Sequence, residues 1–168
     1  MLPDIDLRLH TLATTLRDIV LPVIPAGEGF AREQVQLMMA HVAIIEAQWK
    51  RALAFERQTF DALRALAVEV HRAIDDASLR TAIEDALIAA ETVARDDYDA
   101  VNRAQLALAA LIDRAIAAHR PGARMAPPLA AALLDYGKRE AWRYRVWFQG
   151  AGIDPDGASL PEIDRLFD

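Results

Sequence analysis

The stretch AREQVQLMMAHVAIIEAQWKRALAFERQTFDALRALAVEVHRAI, residues 31–74, and the stretch LRTAIEDALIAAETVARDDYDAVNRAQLALAALIDRAIAAH, residues 79–119, are separated only by Asp75, Asp76, Ala77 and Ser78. Their reading decides the fold. In the first, apolar positions from Val35 through Val42, Ile45, Trp49, Leu63 and Leu66 to Val70 recur at steps of three and four, one stripe of an amphipathic helix. In the second, Ile83, Leu87, Ala90, Ala94, Val101, Leu108, Leu111 and Ala115 do the same. Neither contains proline or glycine, and both are rich in Ala, Leu, Arg, Gln and Glu, the residues that cost least inside a helix. The spacing predicts two helices, each about 60 Å long at about 1.5 Å per residue, folded back on each other as an antiparallel hairpin. Asp76 or Ser78 is the expected cap of the second.

Outward from this pair the elements shorten. A first helix is expected over about residues 4–21, capped by Asp4, with Ile5, Leu9, Leu12, Leu16 and Ile19 on one face and Pro22 as its stop. The segment Pro22–Phe30 reads as a turn-rich connector. Its Gly27 and Gly29 make only a G-x-G fragment, with no preceding strand and no following Lys-Ser or Lys-Thr, so it is not a phosphate loop. Beyond a linker with Pro121, Gly122 and Pro127, a fourth helix is expected over about 128–148, facing inward with Ala130, Leu133, Leu134, Ala141, Tyr144 and Phe148. Ser159 and Glu162 have the spacing of a capping box for a last short helix over about 160–166. The expectation is one all-α domain, residues 1–168: an antiparallel helical bundle built on one long helical hairpin with two shorter flanking helices.

Composition narrows the function classes. A chain of 168 residues, 54% apolar and 26% charged, is long enough to bury a core. A formal net charge of −6 argues against nucleic acid as a partner. The lack of cysteine excludes disulfides, thiolate catalysis and cysteine-ligated metals. Met1–Leu9, with Asp4 and Asp6, lacks the basic start and apolar core of a signal peptide, and no run approaches the roughly 18 apolar residues of a membrane span. The expected setting is the cytoplasm, with no membrane partner.

Both short helices attach at the open end of the hairpin, so the closed end, roughly Leu53 to Tyr98, would be two helices alone. It still carries Phe60, Leu63, Leu66, Val70, Ile83, Leu87, Ile88 and Val93, more apolar surface than two helices hide. The simplest cover is a second copy packed tip to tip in a two-fold dimer. The rival is a break in one long helix that folds the tip back.

Each long stripe bears one acid, Glu56 in the first and Asp97 in the second, equally far from the Asp76 corner and so expected face to face. Two buried carboxylates at one level repel and need a shared proton, an arginine or a metal ion. Arg57, Asp96 and Asp99 are near enough in sequence to complete such a layer, which makes Glu56, Asp96, Asp97 and Asp99 candidate metal ligands and Arg57 a candidate ligand-binding residue. The run Asp96-Asp97-Tyr98-Asp99 is similar to acidic magnesium motifs of helical enzymes that handle diphosphates, although no second acidic motif accompanies it. The plain alternative is that both acids sit at the edge of the stripe and pair with Arg57 or Arg103. The histidines His10, His41, His71 and His119 form neither a His-Glu-x-x-His motif nor a di-iron tetrad, and no nucleophile signature appears. No catalytic residue is nominated.

On the fourth helix the run Lys138–Phe148 interleaves arginines with aromatic rings. Arg143, Trp142 and Trp147 are the candidates there, for a protein partner or an anionic ligand. Two functions remain. The first is a non-enzymatic helical interaction module, a homodimer acting in protein–protein association without a cofactor. The second is a small-ligand binder or Mg²⁺-dependent enzyme on a phosphorylated substrate, using the acidic layer.

Overall fold

The structure, a computed structural model, describes residues 4–118, 125–152 and 154–168. His119, the end of the expected second long helix, and Pro121 and Gly122 of the expected linker lie outside the described residues. The chain is all-α, and no strand occurs among the described residues. Its helices are α1 (Ile5–Thr15), α2 (Leu21–Val23), α3 (Gly29–Gln48), α4 (Ala52–Ala73), α5 (Ala77–Glu91), α6 (Tyr98–Ala117) and α7 (Pro127–Trp147). A single 3₁₀ turn, Trp49–Arg51, joins α3 to α4, so helical backbone runs from Gly29 to Ala73 as the pattern predicts. The chain divides into two compact units: residues 4–51 with 143–168, and residues 52–142.

The second unit is where the expected hairpin fails. Helix 3 is not one rod over 79–119 but two helices, α5 and α6, separated at residues 92–97. Two local interactions make the break. The Thr92 hydroxyl donates to the Ala89 carbonyl at 3.1 Å and Thr92 leaves helical geometry (φ −104°, ψ 7°). Asp97, extended at φ −101° and ψ 112°, accepts the Ala100 N–H at 3.1 Å and caps α6. An aspartate that can bond the backbone three residues on competes with helix continuation, so the residue expected on the inward stripe is instead a start signal. Asp97→Ala is expected to destabilise this unit by about 1 kcal/mol, read as a lowered urea midpoint, with Asp97→Asn close to wild type.

Because α5 is short, the chain passes three times where two passes were expected. Glu56 meets Tyr98 and Gln105, while Ala73 and Asp76 share a cavity with Ala115 and Ala118, so α6 runs parallel to α4 and packs directly on it, with α5 antiparallel to both. The start of α7 returns antiparallel to α4, bringing Tyr136 to Leu66 and Leu129 to Ala73. The result is an up-down-up-down bundle. Its core is Phe60, Leu63, Leu66, Ala67 and Val70 of α4, Leu79, Ile83 and Ala90 of α5, and Val101, Leu108 and Ile112 of α6, with Leu129, Leu133 and Tyr136 packed on it. Most of the side chains expected bare at the tip are therefore covered by the chain itself, with Phe60 and Ile83 at 0% exposure, while Ile88 stays 60% exposed. The break, not a second copy, hides them, and the tip-to-tip argument for a dimer falls.

In the first unit, α1 and α3 form an antiparallel hairpin. Asp4 caps α1 as expected, accepting the Leu7 N–H at 2.8 Å. Pro22 has no N–H to give, and the turn before it widens into a π turn, Leu16–Val20, with the Leu21 N–H reaching back to the Leu16 carbonyl. The helical path thus ends at Val23. Arg32 then ties the connector to α3, donating to the Leu21 and Ile24 carbonyls at 3.2 and 2.9 Å. At the other end Asp6 accepts the Trp49 indole N–H at 3.0 Å and pairs with Lys50 at 2.5 Å. The Lys50 bond holds its carboxyl below the usual range.

The C-terminal segment packs on α3: Gln48 donates to the Trp147 carbonyl at 2.8 Å, Arg51 pairs with Asp164, and the Trp147 and Phe167 rings meet edge to face at 6.4 Å. Gly152 takes the left-handed conformation, φ 67°, that closes this turn. The capping box does not form, because the Ser159 hydroxyl donates to the Asp156 carbonyl at 2.7 Å and only a 3₁₀ turn, Ile163–Leu166, follows. The expected inward face of α7 is also rotated. Ala130 and Leu133 are partly buried as expected, but Leu134, Ala141, Tyr144 and Phe148 are exposed, whereas Glu140, Val146 and Trp147 are buried.

Candidate functional site

The acidic layer, in the second unit, is a tie between helices. Glu56, partly buried on α4, takes a bond from the Tyr98 hydroxyl at 3.3 Å on Oε1, and the Gln105 amide donates both to its Oε2 and to its main-chain carbonyl, the latter at 3.0 Å. Gln105 is buried at 7% exposure. A buried amide donor satisfied by an acid one helix away fixes how α4 and α6 sit against each other. Asp97 is exposed and spent on its cap, and Asp96 and Asp99 are exposed. The structure therefore does not assemble the two-carboxylate pair, and among the described residues no three His, Asp or Glu side chains gather as a metal-ion site.

Arg57 does come to this layer, but its Nε donates to the Arg95 carbonyl in the turn between α5 and α6. Arg95 in turn forks onto Asp61, at 2.8 and 2.6 Å, which raises its pKa further above the usual arginine range. The Arg95 and Arg64 guanidinium carbons stand 5.6 and 5.8 Å from the centre of the Phe60 ring, within the reach of a cation–π contact. Glu56→Ala leaves the Gln105 amide buried without its carboxylate and is expected to cost about 1–3 kcal/mol. The readout is the melting temperature, and Glu56→Gln, which keeps an acceptor there, should cost less.

The aromatic run of α7 divides. Trp142 is 45% exposed, whereas Trp147 is buried against Phe167 and is not available to a partner. Arg143 is partly buried and already engaged. Arg145 is bound to Asp154 at 2.7 Å, and this bond holds the Asp154 carboxyl below the usual range. Tyr144 and Phe148, both exposed, stack on each other at 6.2 Å.

The larger unsatisfied feature is one that sequence reasoning passed over, the outer side of the α1–α3 hairpin. Leu9 and Val35 are the buried hydrophobics of the two helices. Beside that seam Ile5 and Leu12 on α1 are 48% and 53% exposed, and Met38 and Ile45 on α3 are 52% and 49% exposed. Each pair is spaced seven apart, and by the repeat of about 3.6 residues per turn both pairs fall on the same side of the antiparallel hairpin. Ile19, Phe30 and Leu37 extend the apolar surface. The signal is present in the stripe Ile5, Leu12 and Ile19, which the spacing puts on one face without saying what covers it. Compared with family models, with curated proteins and with solved structures, the chain finds no match.

Proposed function

We propose that the chain is a non-enzymatic helical association module of the cytoplasm that works as a homodimer, its copies joined through the apolar side of the α1–α3 hairpin. The observation that carries this is the pair of half-exposed stripes Ile5/Leu12 and Met38/Ile45, an apolar surface wider than one partner helix covers. Two such hairpins laid face to face complete a four-helix arrangement with the same side chains on both sides of a two-fold axis.

A second copy suits the face in charge and in size. Residues 1–51 carry six acidic and five basic side chains, so a copy meets little net repulsion there. Each pair spans about 10 Å at about 1.5 Å per residue, and Ile19 in the π turn with Phe30 on α3 carries the apolar surface to about 20 Å, across two helices about 10 Å apart. Self-pairing of that area buries on the order of 1,000 Å² in total, at the threshold for a specific interface. No helix among the described residues is long and apolar enough to cross a membrane.

Sedimentation velocity across the micromolar range tests the reading. A concentration-dependent shift from monomer to dimer supports it, and a single monomeric species throughout sinks it. Addition of Mg²⁺ is expected to leave the melting temperature unchanged, since Glu56 is engaged by Gln105 and Tyr98. A metal-dependent rise abolished by Glu56→Ala would favour a metal-dependent enzyme instead.

A further inference from the structure

Where the ends of α4 and α6 meet the starts of α5 and α7, the second unit holds a cavity of about 350 Å³. Ala73, Ile74, Ala115 and Leu129, all partly buried, give it an apolar floor, and the exposed Asp75 and Asp76 stand at its rim. We infer that this cavity binds a small primary amine with an apolar body, its ammonium group at the carboxylates and its hydrocarbon among the alanines. Every described residue that lines it belongs to the unit 52–142, so the inference stands apart from self-association through the α1–α3 hairpin.

An apolar space between helices, edged by a few polar groups, is the usual form of a small-ligand pocket. The edge here is rich in acceptors and poor in donors. Both α4 and α6 end at it, at Ala73 and Ala117, and the last carbonyls of a helix carry partial negative charge that favours a cation. The opposite pole of α7 is muted, because that helix begins with Pro127 and Pro128, which have no N–H. Asp76 spends one oxygen on the Leu79 N–H at 3.0 Å. The Asp75 carboxylate has no hydrogen bond or ion pair among the described residues. Of the cations nearby, Arg80 donates to the Ile74 carbonyl at 2.6 Å, Arg72 pairs with Glu69, and Arg114 is exposed and does not line the cavity. An ammonium ion at this rim gains a carboxylate and two helix ends, whereas an anion meets like charge. The apolar body is required as well, since burial of hydrocarbon supplies the attraction that an exposed carboxylate alone does not.

Titration of the full chain with phenethylamine, followed by the amide signals in two-dimensional NMR, tests this. A ligand of that size is expected to bind with a Kd of about 1 mM. Phenylpropionate, with the same ring and the opposite charge, should bind about 10-fold more weakly or not at all. Ala118→Leu, at an exposed position of the cavity wall, fills the space and is expected to weaken the amine about 10-fold or more. Asp75→Asn removes the unpaired rim charge at an exposed position, where the fold bears little of the change, and should weaken the amine several-fold. The result that supports the inference is amine binding reduced by both substitutions. A wild type that binds neither probe, an amine bound no tighter than phenylpropionate, or amine binding that survives either substitution overturns it.

Discussion

Ile45→Asp is expected to convert the proposed homodimer to a monomer across the micromolar range, weakening association more than 100-fold. Ile45 is 49% exposed on α3, so the aspartate remains in water in the separated chain and the fold bears little of the change. In the proposed dimer the same carboxylate enters the apolar seam twice, once from each copy. Desolvating an unpaired charge costs several kcal/mol, and about 1.4 kcal/mol is already tenfold in affinity. Sedimentation equilibrium measures the shift, while the melting temperature at low concentration should stay within the range of an ordinary surface substitution, about 0.5 kcal/mol. Ile88→Asp, at a 60% exposed position of the other unit, is the control and should sediment like wild type. An Ile45→Asp protein that dimerises like wild type would show that the hairpin face is not the seam.

The second large effect concerns stability. Phe60→Ala is expected to cost about 3–5 kcal/mol, against a total of about 5–15 kcal/mol for a folded domain. Phe60 is fully buried at the centre of the α4–α5–α6 core, and its ring also carries the Arg64 and Arg95 guanidiniums. Truncation leaves a cavity and removes the surface on which both cations rest. The neighbouring ion pair weighs less: Arg95 and Asp61 side chains are 41% and 52% exposed, and pairs so exposed contribute about 1 kcal/mol or less. Asp61→Asn should therefore shift the urea midpoint several-fold less than Phe60→Ala. Equal effects from the two substitutions would mean that the ion pair, not the ring, organises this end of the bundle.

What was readable in the chain follows the strength of each local signal. The α4 stripe from Leu63 to Val70 is continuous and apolar, and it lands in the core where the spacing puts it. Asp4 and Asp76 stand immediately before apolar patterns, and both are caps, Asp76 accepting the Leu79 N–H at 3.0 Å. Asp97 has the same credentials, but the residues around it continue a helical spacing without glycine or proline. That periodicity masks the cap, and the single rod and the acidic pair both follow from it. On α7 the true inward stripe runs through Leu129, Leu133, Tyr136, Glu140 and Trp147. A buried glutamate in its middle disguised it, because charge normally marks the solvent side. The hairpin face was missed for a different reason: periodicity says which residues share a side of a helix, but not how much of that side a neighbour reaches.

The division of the chain also bears on its synthesis. Residues 52–142 are contiguous and need nothing from either end to close their core, whereas the other unit draws residues 4–51 from the start and 143–168 from the finish. On the ribosome the α4–α7 core is therefore free to condense while the hairpin made first waits for the last segment to emerge. During that interval the side of α3 that meets the C-terminal segment stands open.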